Sequence, residues 1–130
     1  AALGISQLSR ANIGINRRRT IAQKYADAFA NQSFIKGQSG FVEGHAYHLY
    51  VIRTEKRDEL IKYLRNLNIM AQVHYIPVHY QPYYRDQGWK RGDLPVAENY
   101  YQQCLSIPIY PSLTNDEQDY VIKTILEFFS

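Results

Sequence analysis

The stretch from Val73 to Tyr84 constrains the fold more than any other part of the chain, because prolines interrupt it twice. Pro77 and Pro82 each lack a backbone N–H and fix φ, so a regular helix or a central strand cannot continue through them. Around the prolines stand two imidazoles, four phenols and an amide, a mixture that a buried element does not need. We therefore predict a rigid, partly extended loop that holds a ligand.

Length and composition indicate one globular domain. The chain has 130 residues, of which 45% are hydrophobic and 21% charged, and a chain of this size buries about two-thirds of its unfolded surface. No apolar run approaches the ~20 residues that span a bilayer, and the N-terminus has no signal-peptide pattern, so we expect a cytoplasmic protein without a membrane partner. The single cysteine, Cys104, excludes an intrachain disulfide, and its place at a helix end predicts a small buried side chain.

The basic residues do not indicate nucleic-acid binding. The formal net charge is +3, and the one dense basic run, the arginines at 17–19, falls in a helical pattern where we expect it to face solvent. No helix-turn-helix, zinc-finger or RNP-type motif accompanies the run. We therefore expect no nucleic-acid partner.

Apolar spacing and turn residues predict four helices and three strands. A stripe with spacings of three, four and seven residues predicts one amphipathic helix from about residue 5 to residue 30, followed by a glycine-rich loop over 31–44. The further predicted elements are a strand over 45–53, a helix capped by Thr54 that ends near 66–68, a strand over 69–75, a helix from Pro95 to Gln103, a strand over 105–109 and a closing helix with a capping box over 114–117. This order predicts a two-layer α+β domain with a three-stranded sheet that helices cover on one face and leave open on the other.

Spacing argues against a metal centre and against nucleophilic catalysis. His45 and His48 are three residues apart on a predicted strand and would point to opposite faces, with no cysteine pair or carboxylate at a ligand-like interval. Neither Ser106 nor Cys104 lies in a nucleophile motif, and the chain has no glycine-rich phosphate loop. We assign no catalytic residue and no metal ligand.

Side chains around the two prolines could hold a nucleotide without such a loop. Side chains in this region could stack on a base, donate to hydroxyls and pair with phosphate oxygens; they are His74, Tyr75, His79, Tyr83, Tyr84 and Arg85. Tyrosines and single histidines are also common structural residues on half-buried β surfaces. The residues alone leave both interpretations open.

Five groups of residues follow one another in a recognisable order. They are residues 1–8, 17–19, 45–51, 73–84 and 105–111, and the most specific is His-Tyr-Ile-Pro-Val-His followed by Gln-Pro-Tyr-Tyr. In this order they resemble the C-terminal domain of pyridoxal-phosphate-dependent nucleotide-sugar aminotransferases of the DegT/DnrJ/StrS type. The most specific string is similar to the group that acts on a UDP-linked 4-keto-6-deoxyhexosamine in pseudaminic acid biosynthesis, the UDP-4-amino-4,6-dideoxy-N-acetyl-altrosamine transaminase type.

The resemblance implies the small domain of a fold-type-I aminotransferase. A connecting helix over 1–30 would lie at the junction with a large domain outside this sequence, and the small domain proper would cover 31–130. Members of the family attach pyridoxal phosphate to a lysine of the large domain, and none of the six lysines of this chain stands in that lysine's motif. The chain alone is therefore expected to be inactive and to contribute no cofactor-binding residue.

The resemblance further implies what the full-length enzyme does. It would transfer an amino group, with glutamate as the expected donor, to a keto nucleotide sugar of cell-surface or spore-coat polysaccharide biosynthesis, and it would act as a homodimer. The residues predicted to bind the nucleotide sugar are His74, Tyr75, His79, Tyr83 and Arg85. The alternative is a free-standing module that binds a sugar nucleotide or a protein partner without catalysis.

Overall fold

The computed structural model of the chain describes residues 2–38 and 43–130, so the middle of the loop predicted over 31–44 lies outside the described residues. The elements are α1 (Ala2–Leu8), α2 (Ala11–Phe29), β1 (Tyr50–Arg53), α3 (Arg57–Asn66), a 3-10 turn (Val78–Tyr80), α4 (Pro82–Asp86), α5 (Pro95–Gln103), β2 (Cys104–Ile107) and α6 (Asn115–Phe129). Strands and helices form the α+β architecture that the sequence predicts. In the described ranges, no helix has both the length and the apolar character needed to cross a membrane.

The sheet has two strands, so the prediction of three is wrong. β1 and β2 are antiparallel, with Tyr50 opposite Ile107. The segment predicted as the remaining strand, 69–75, contributes a single bridge between Gln72 and Ser106. Continuing that bridge in antiparallel register would bring Met70 opposite Pro108, which has no N–H to donate, so the ladder cannot extend in that direction.

The first strand is also shorter than predicted. It begins at Tyr50 and not at His45, because Tyr47 has a φ of +47°, which is incompatible with an extended strand. On the outer side of β1, Lys36 forms a bridge with Arg53. The sheet is thus two short strands with one bridging residue along each edge.

The predicted helix over 5–30 is divided into α1 and α2 at Ser9 and Arg10. The Ser9 hydroxyl donates to the Ser6 carbonyl at 2.8 Å, a local hydrogen bond that competes with the helical pattern. Only the second half of the apolar stripe is packed in the structure: Ile21, Tyr25 and Phe29 are buried, whereas no residue of α1 is.

The core lies between the sheet and helices α2, α3 and α6, and its largest buried side chains are Tyr25, Tyr50, Ile21, Ile52, Leu60, Leu64, Leu105 and Ile125. The Tyr25 ring lies 5.1 Å from the Tyr50 ring. Its hydroxyl donates to the Pro108 carbonyl at 2.9 Å, and burial raises the pKa of Tyr25. Apolar area accounts for most of the stabilisation of such a core, and the buried phenol requires a partner of this kind.

Four local predictions are confirmed. Thr114 and Glu117 form the capping box at the start of α6, and Pro95 occupies the first turn of α5. Helix α3 ends at Asn66, and Asn68 has a φ of +60°, the left-handed conformation that ends helices. Cys104 is buried, as predicted.

The arginines at 17–19 do not face solvent as predicted. Arg18 donates through Nη1 to the carbonyls of Tyr47 at 3.1 Å, His48 at 3.1 Å and Ile109 at 2.9 Å. Arg17 donates to the Leu113 carbonyl, and Arg19 donates to the His45 carbonyl at 3.1 Å. The run was misinterpreted because its acceptors are backbone carbonyls, which have no signature in the sequence.

We predict that Arg18→Met destabilises the protein by about 2 kcal/mol, because hydrogen bonds from a charged donor to partly buried carbonyls are lost while the aliphatic part of the side chain is kept. Urea denaturation of the wild type and the variant measures the difference. The matched control is Arg65→Met on the exposed surface of α3. Equal and small effects of the two substitutions would contradict a structural role for Arg18.

Candidate functional site

A cleft of about 640 Å³ lies between the loop that follows Gln72 and the first turns of α5, and we call it the α5 cleft. Its lining residues are His74, Tyr75, Pro77, Asp93, Leu94, Pro95, Val96, Ala97, Tyr100 and Tyr101. The cleft is large enough for a drug-sized ligand or part of a nucleotide sugar. Two of the five predicted substrate-binding residues, His74 and Tyr75, line it.

The lining is predominantly apolar and aromatic. Tyr75 is 77% exposed and Val96 84% exposed, although a domain of this size does not need apolar side chains in such positions. His74 and Asp93 are the titratable groups in the lining besides the tyrosines. The surface is suited to the face of a ring, with a small number of polar groups to orient it.

A residue of the sheet holds the imidazole of His74 in place. Its Nδ1 atom is 2.8 Å from the hydroxyl of Ser106, a buried residue of β2. The same Ser106 forms the backbone bridge to Gln72, with N···O distances of 3.0 and 2.7 Å. This bridge ends two residues before His74, so the sheet fixes where the imidazole enters the cleft.

On the opposite wall, the buried side chain of Arg57 holds the ring of Tyr101 in place. The guanidinium carbon of the buried Arg57 lies 5.3 Å from the centroid of the Tyr101 ring. A cation at this distance is attracted by the face of the ring. The aromatic wall formed by α5 is thus fixed by a residue of α3 that does not line the cleft.

His79 does not line the α5 cleft, although the sequence places it among the substrate-binding residues. Its side chain is 4% exposed, and Nε2 is 2.8 Å from Oε1 of Glu98. Glu98 belongs to the first turn of α5, so this contact joins the 3-10 turn to the helix. The imidazole of His79 therefore has a structural role, since its contact with Glu98 holds the 3-10 turn against α5.

The Glu98 carboxylate also binds the segment that leads into α5. Oε1 accepts hydrogen bonds from the backbone N–H groups of Gly92 at 2.8 Å and Leu94 at 3.4 Å. The hydrogen bond from His79 is the main cause that lowers the pKa of Glu98 to about 2. A carboxylate with several donors is stabilised in its charged form, so Glu98 is ionised at neutral pH.

Tyr80 completes this group of side chains. Partial burial, followed by its hydrogen bond to Glu98, raises the pKa of the phenol. The guanidinium carbon of Arg91 lies 4.6 Å from the centroid of the Tyr80 ring. Tyr80, the last residue of the 3-10 turn, therefore packs against the segment before α5.

Tyr83 and Arg85, the remaining predicted substrate-binding residues, lie on α4 and are exposed. Neither lines the α5 cleft. The region predicted as an extended loop also contains regular structure, since Pro82 begins α4. Proline at a first helical position is favourable because its N–H would have no partner there.

The sequence analysis missed the contribution of α5 to the cleft. The sequence did contain an indication of this surface. Leu94, Pro95 and Val96 are three consecutive apolar residues at a helix start, and consecutive residues of a helix cannot all lie on one buried face. Glu98 had no comparable signal, because its partners are His79 and two backbone N–H groups that only the fold brings together.

The lining residues do not fit pyridoxal phosphate as a complete site. The α5 cleft, as lined by the described residues, contains neither a lysine nor an arginine for a covalent or ionic contact with the cofactor. Lys24, a residue of α2, instead pairs with Asp119 at 2.6 Å. Within the same described ranges, His, Cys, Asp and Glu form no group of three that could hold a metal ion.

Comparison with known proteins shows the family to which this chain belongs. The sequence pattern of the DegT/DnrJ/EryC1/StrS aminotransferase family matches residues 1–126. The chain therefore belongs to the DegT/DnrJ/EryC1/StrS aminotransferase family. The spore coat polysaccharide biosynthesis protein SpsC of Bacillus subtilis (strain 168) is 41% identical over 134 residues, which cover 96% of this chain and 34% of SpsC.

Two solved structures share the fold. DesV of S. venezuelae, crystallised in complex with a ketimine intermediate, is 32% identical with a TM-score of 0.92, and the match covers 98% of this chain and 35% of DesV. PseC of Helicobacter pylori, an aminotransferase involved in the biosynthesis of pseudoaminic acid, is 25% identical with a TM-score of 0.89, and the match covers 98% of this chain and 36% of PseC. The chain thus spans about a third of the length of these relatives.

We predict that the contribution of Glu98 to the free energy of unfolding is lost at acid pH. Since its folded-state pKa lies below the ordinary value of 4.5, its charged interactions stabilise the fold fully above that value and are lost as the pH falls towards about 2. The difference in unfolding free energy between the wild type and Glu98→Gln should therefore be largest above pH 4.5 and shrink below it. Urea denaturation of both proteins at a series of pH values measures it. A difference that is constant with pH would contradict the assignment.

Proposed function

We propose that this chain is the small domain of a pyridoxal-phosphate-dependent enzyme that transfers an amino group, from glutamate as the expected donor, to a keto nucleotide sugar. The observation that carries the proposal is the family match over residues 1–126. The α5 cleft supports it, because rings on both walls and a sheet-anchored imidazole suit a ring-containing ligand.

The proposed division of labour places the cofactor outside this chain. Pyridoxal phosphate acts as an electron sink for amino transfer, and the α5 cleft as described lacks a lysine that could attach it. We assign to this chain the positioning of the nucleotide sugar, with His74 and Tyr75 in direct contact. His79 would act by arranging the loop, and contacts from Tyr83 and Arg85 stay predictions.

The domain arrangement is part of the same proposal. We place the junction with a large domain at residues 1–30 and the small domain proper at 31–130. Support comes from α1 and the start of α2, where Leu3 is 75% exposed, Leu8 73% and Ile13 73%. An apolar surface of this kind favours packing against another part of the protein. A homodimer and a cytoplasmic location stay predictions.

The most detailed part of the proposal concerns the pathway and the sugar. The similarity to SpsC, a spore coat polysaccharide biosynthesis protein, supports a role in cell-surface or spore-coat polysaccharide biosynthesis. The string at 74–84 favours the UDP-4-amino-4,6-dideoxy-N-acetyl-altrosamine transaminase type. Identity does not favour that type in particular, because PseC is 25% identical to this chain and DesV 32%.

The alternative function is a free-standing module that binds a sugar nucleotide or a protein partner without catalysis. The α5 cleft would serve either function equally well. The coding sequence upstream of Ala1 distinguishes the two, since only the enzyme requires a large domain with a lysine for the cofactor.

We expect the full-length protein with pyridoxal phosphate and glutamate to aminate a nucleotide-linked 4-keto-6-deoxy sugar. The 130-residue chain alone should give no saturable absorbance band with pyridoxal phosphate, because its cleft supplies no lysine. Chromatography of the amino sugar product and a spectroscopic titration measure the two results. A saturable band on the chain alone would contradict the proposed division of labour.

We further expect Tyr75→Ala in the full-length enzyme to raise KM for the nucleotide sugar by about tenfold, since loss of an aromatic stacking surface costs ~1–3 kcal/mol. The glutamate half-reaction should change less than about twofold, because uniform loss of sugar binding leaves the other half-reaction intact. Steady-state kinetics and stopped-flow spectroscopy measure the two quantities.

Tyr83→Ala is the matched variant, because Tyr83 is also exposed but lies outside the α5 cleft. A tenfold effect at both positions would extend the substrate site onto α4, as the sequence predicts. An effect at Tyr83 alone would contradict the assignment of the site to the α5 cleft.

A further inference from the structure

The Glu98 carboxylate joins the two walls of the α5 cleft. One wall is the loop with His74, Tyr75 and Pro77, which continues into the 3-10 turn that carries His79. The other is α5 with the segment that leads into it. Oε1 of Glu98 accepts from His79 Nε2 at 2.8 Å on the first side. On the second side it accepts from the N–H groups of Gly92 at 2.8 Å and Leu94 at 3.4 Å.

Among the described residues, the side chains of the 3-10 turn that hydrogen-bond across to this wall, His79 and Tyr80, both do so through Glu98. The loop lacks a strand ladder beyond Gln72, since its pairing with β2 is limited to one bridge. Gly92, with a φ of +94°, lies in a turn that few other residues could adopt. The loop wall and the segment that leads into α5 both lie outside regular helices and strands, so the separation of these two segments depends on this carboxylate.

We infer that Glu98 is a positioning residue for the nucleotide sugar, which sets the spacing of the two cleft walls without touching the ligand. The inference rests on the proposed function for the identity of the ligand. Its side chain is 12% exposed and does not line the cleft. Removal of the carboxylate should release both walls together, and the sugar should then bind less well while the reaction with the amino donor is unaffected.

The first measurement is hydrogen exchange by mass spectrometry on the full-length protein, which requires no activity. In Glu98→Ala, exchange should accelerate in peptides that cover 90–97 and also in peptides that cover 77–81, where the N–H groups of Tyr80 and Gln81 form the turn. Glu98→Gln should restore slow exchange on both sides, because an amide oxygen can accept the same hydrogen bonds. Acceleration confined to 90–97 would overturn the inference.

The second measurement is kinetic. In Glu98→Ala, KM for a nucleotide-linked 4-keto-6-deoxy sugar should rise by about tenfold or more, since small displacements of binding groups have effects of this size. The glutamate half-reaction should stay within about twofold of wild type, and Glu98→Gln should recover most of the loss. Parallel losses in both half-reactions would indicate a general structural role and overturn the inference.

A second variant covers the case in which Glu98→Ala does not fold. His79→Phe keeps the buried ring but removes one of the hydrogen bonds to Glu98, so exchange should accelerate at 77–81 and KM for the sugar should rise. Unchanged KM in a folded His79→Phe would also overturn the inference. A wild-type enzyme that fails with every nucleotide sugar, while exchange in Glu98→Ala accelerates on both sides, would refute the proposed function and leave the mechanical link between the walls intact.

Discussion

The hydrogen bonds from Arg18 to three backbone carbonyls hold the sheet in place. A sheet of two four-residue strands is marginal without support. Arg18 connects α2 to the segment before β1, through Tyr47 and His48, and to the segment after β2, through Ile109. Because guanidinium donors are charged and the carbonyls are partly buried, these bonds are stronger than ordinary ones. The buried face of α2 can then pack on Tyr50 and Ile52 in a defined register.

The cleft depends on this frame through a short chain of contacts. Once β2 is fixed, Ser106 fixes both Gln72 and the His74 imidazole. Beyond Gln72 the backbone follows no ladder, and Glu98 supplies the next fixed point through His79. The structure thus changes from backbone pairing to side-chain hydrogen bonds at the position where the lining of the α5 cleft begins. Polar groups at this boundary are satisfied by specific partners, as buried polar groups require.

Features that depend on neighbouring residues were predictable from the sequence. The capping box at Thr114 and the helix start at Pro95 use residues within one turn, and both are confirmed. The three-stranded sheet was wrong because strand pairing over 69–75 depends on Pro108, more than thirty residues away in the sequence. The arginine run failed for the same reason, since its carbonyl acceptors become neighbours only in the folded chain.

The candidate site shows the same distinction between features that the sequence predicts and features that depend on the fold. The chemistry of the side chains made His74 and Tyr75 candidates, the resemblance to the family implied that they bind substrate, and the structure places both in the lining of the α5 cleft. The sequence could not distinguish a ring that faces the cleft from one that packs beneath it, so His79 was grouped with them although it is buried. A high content of aromatic residues and histidines indicates that a region has a specialised role. Which rings face the cleft is decided by the direction of the backbone, which Ser106 and Glu98 hold through His74 and His79.

The exposed rim of the α5 cleft has a consequence for how such a domain can diverge. Val96 is 84% exposed and Leu94 42%, so neither contributes much to the core, and substitutions at such positions change stability little. The residues that hold the walls, His79 and Glu98, lie behind the rim. Under the proposed function, substitutions at the rim could change ligand preference at little cost in stability. Selection for a new ligand could then act on the rim while the scaffold is inherited unchanged.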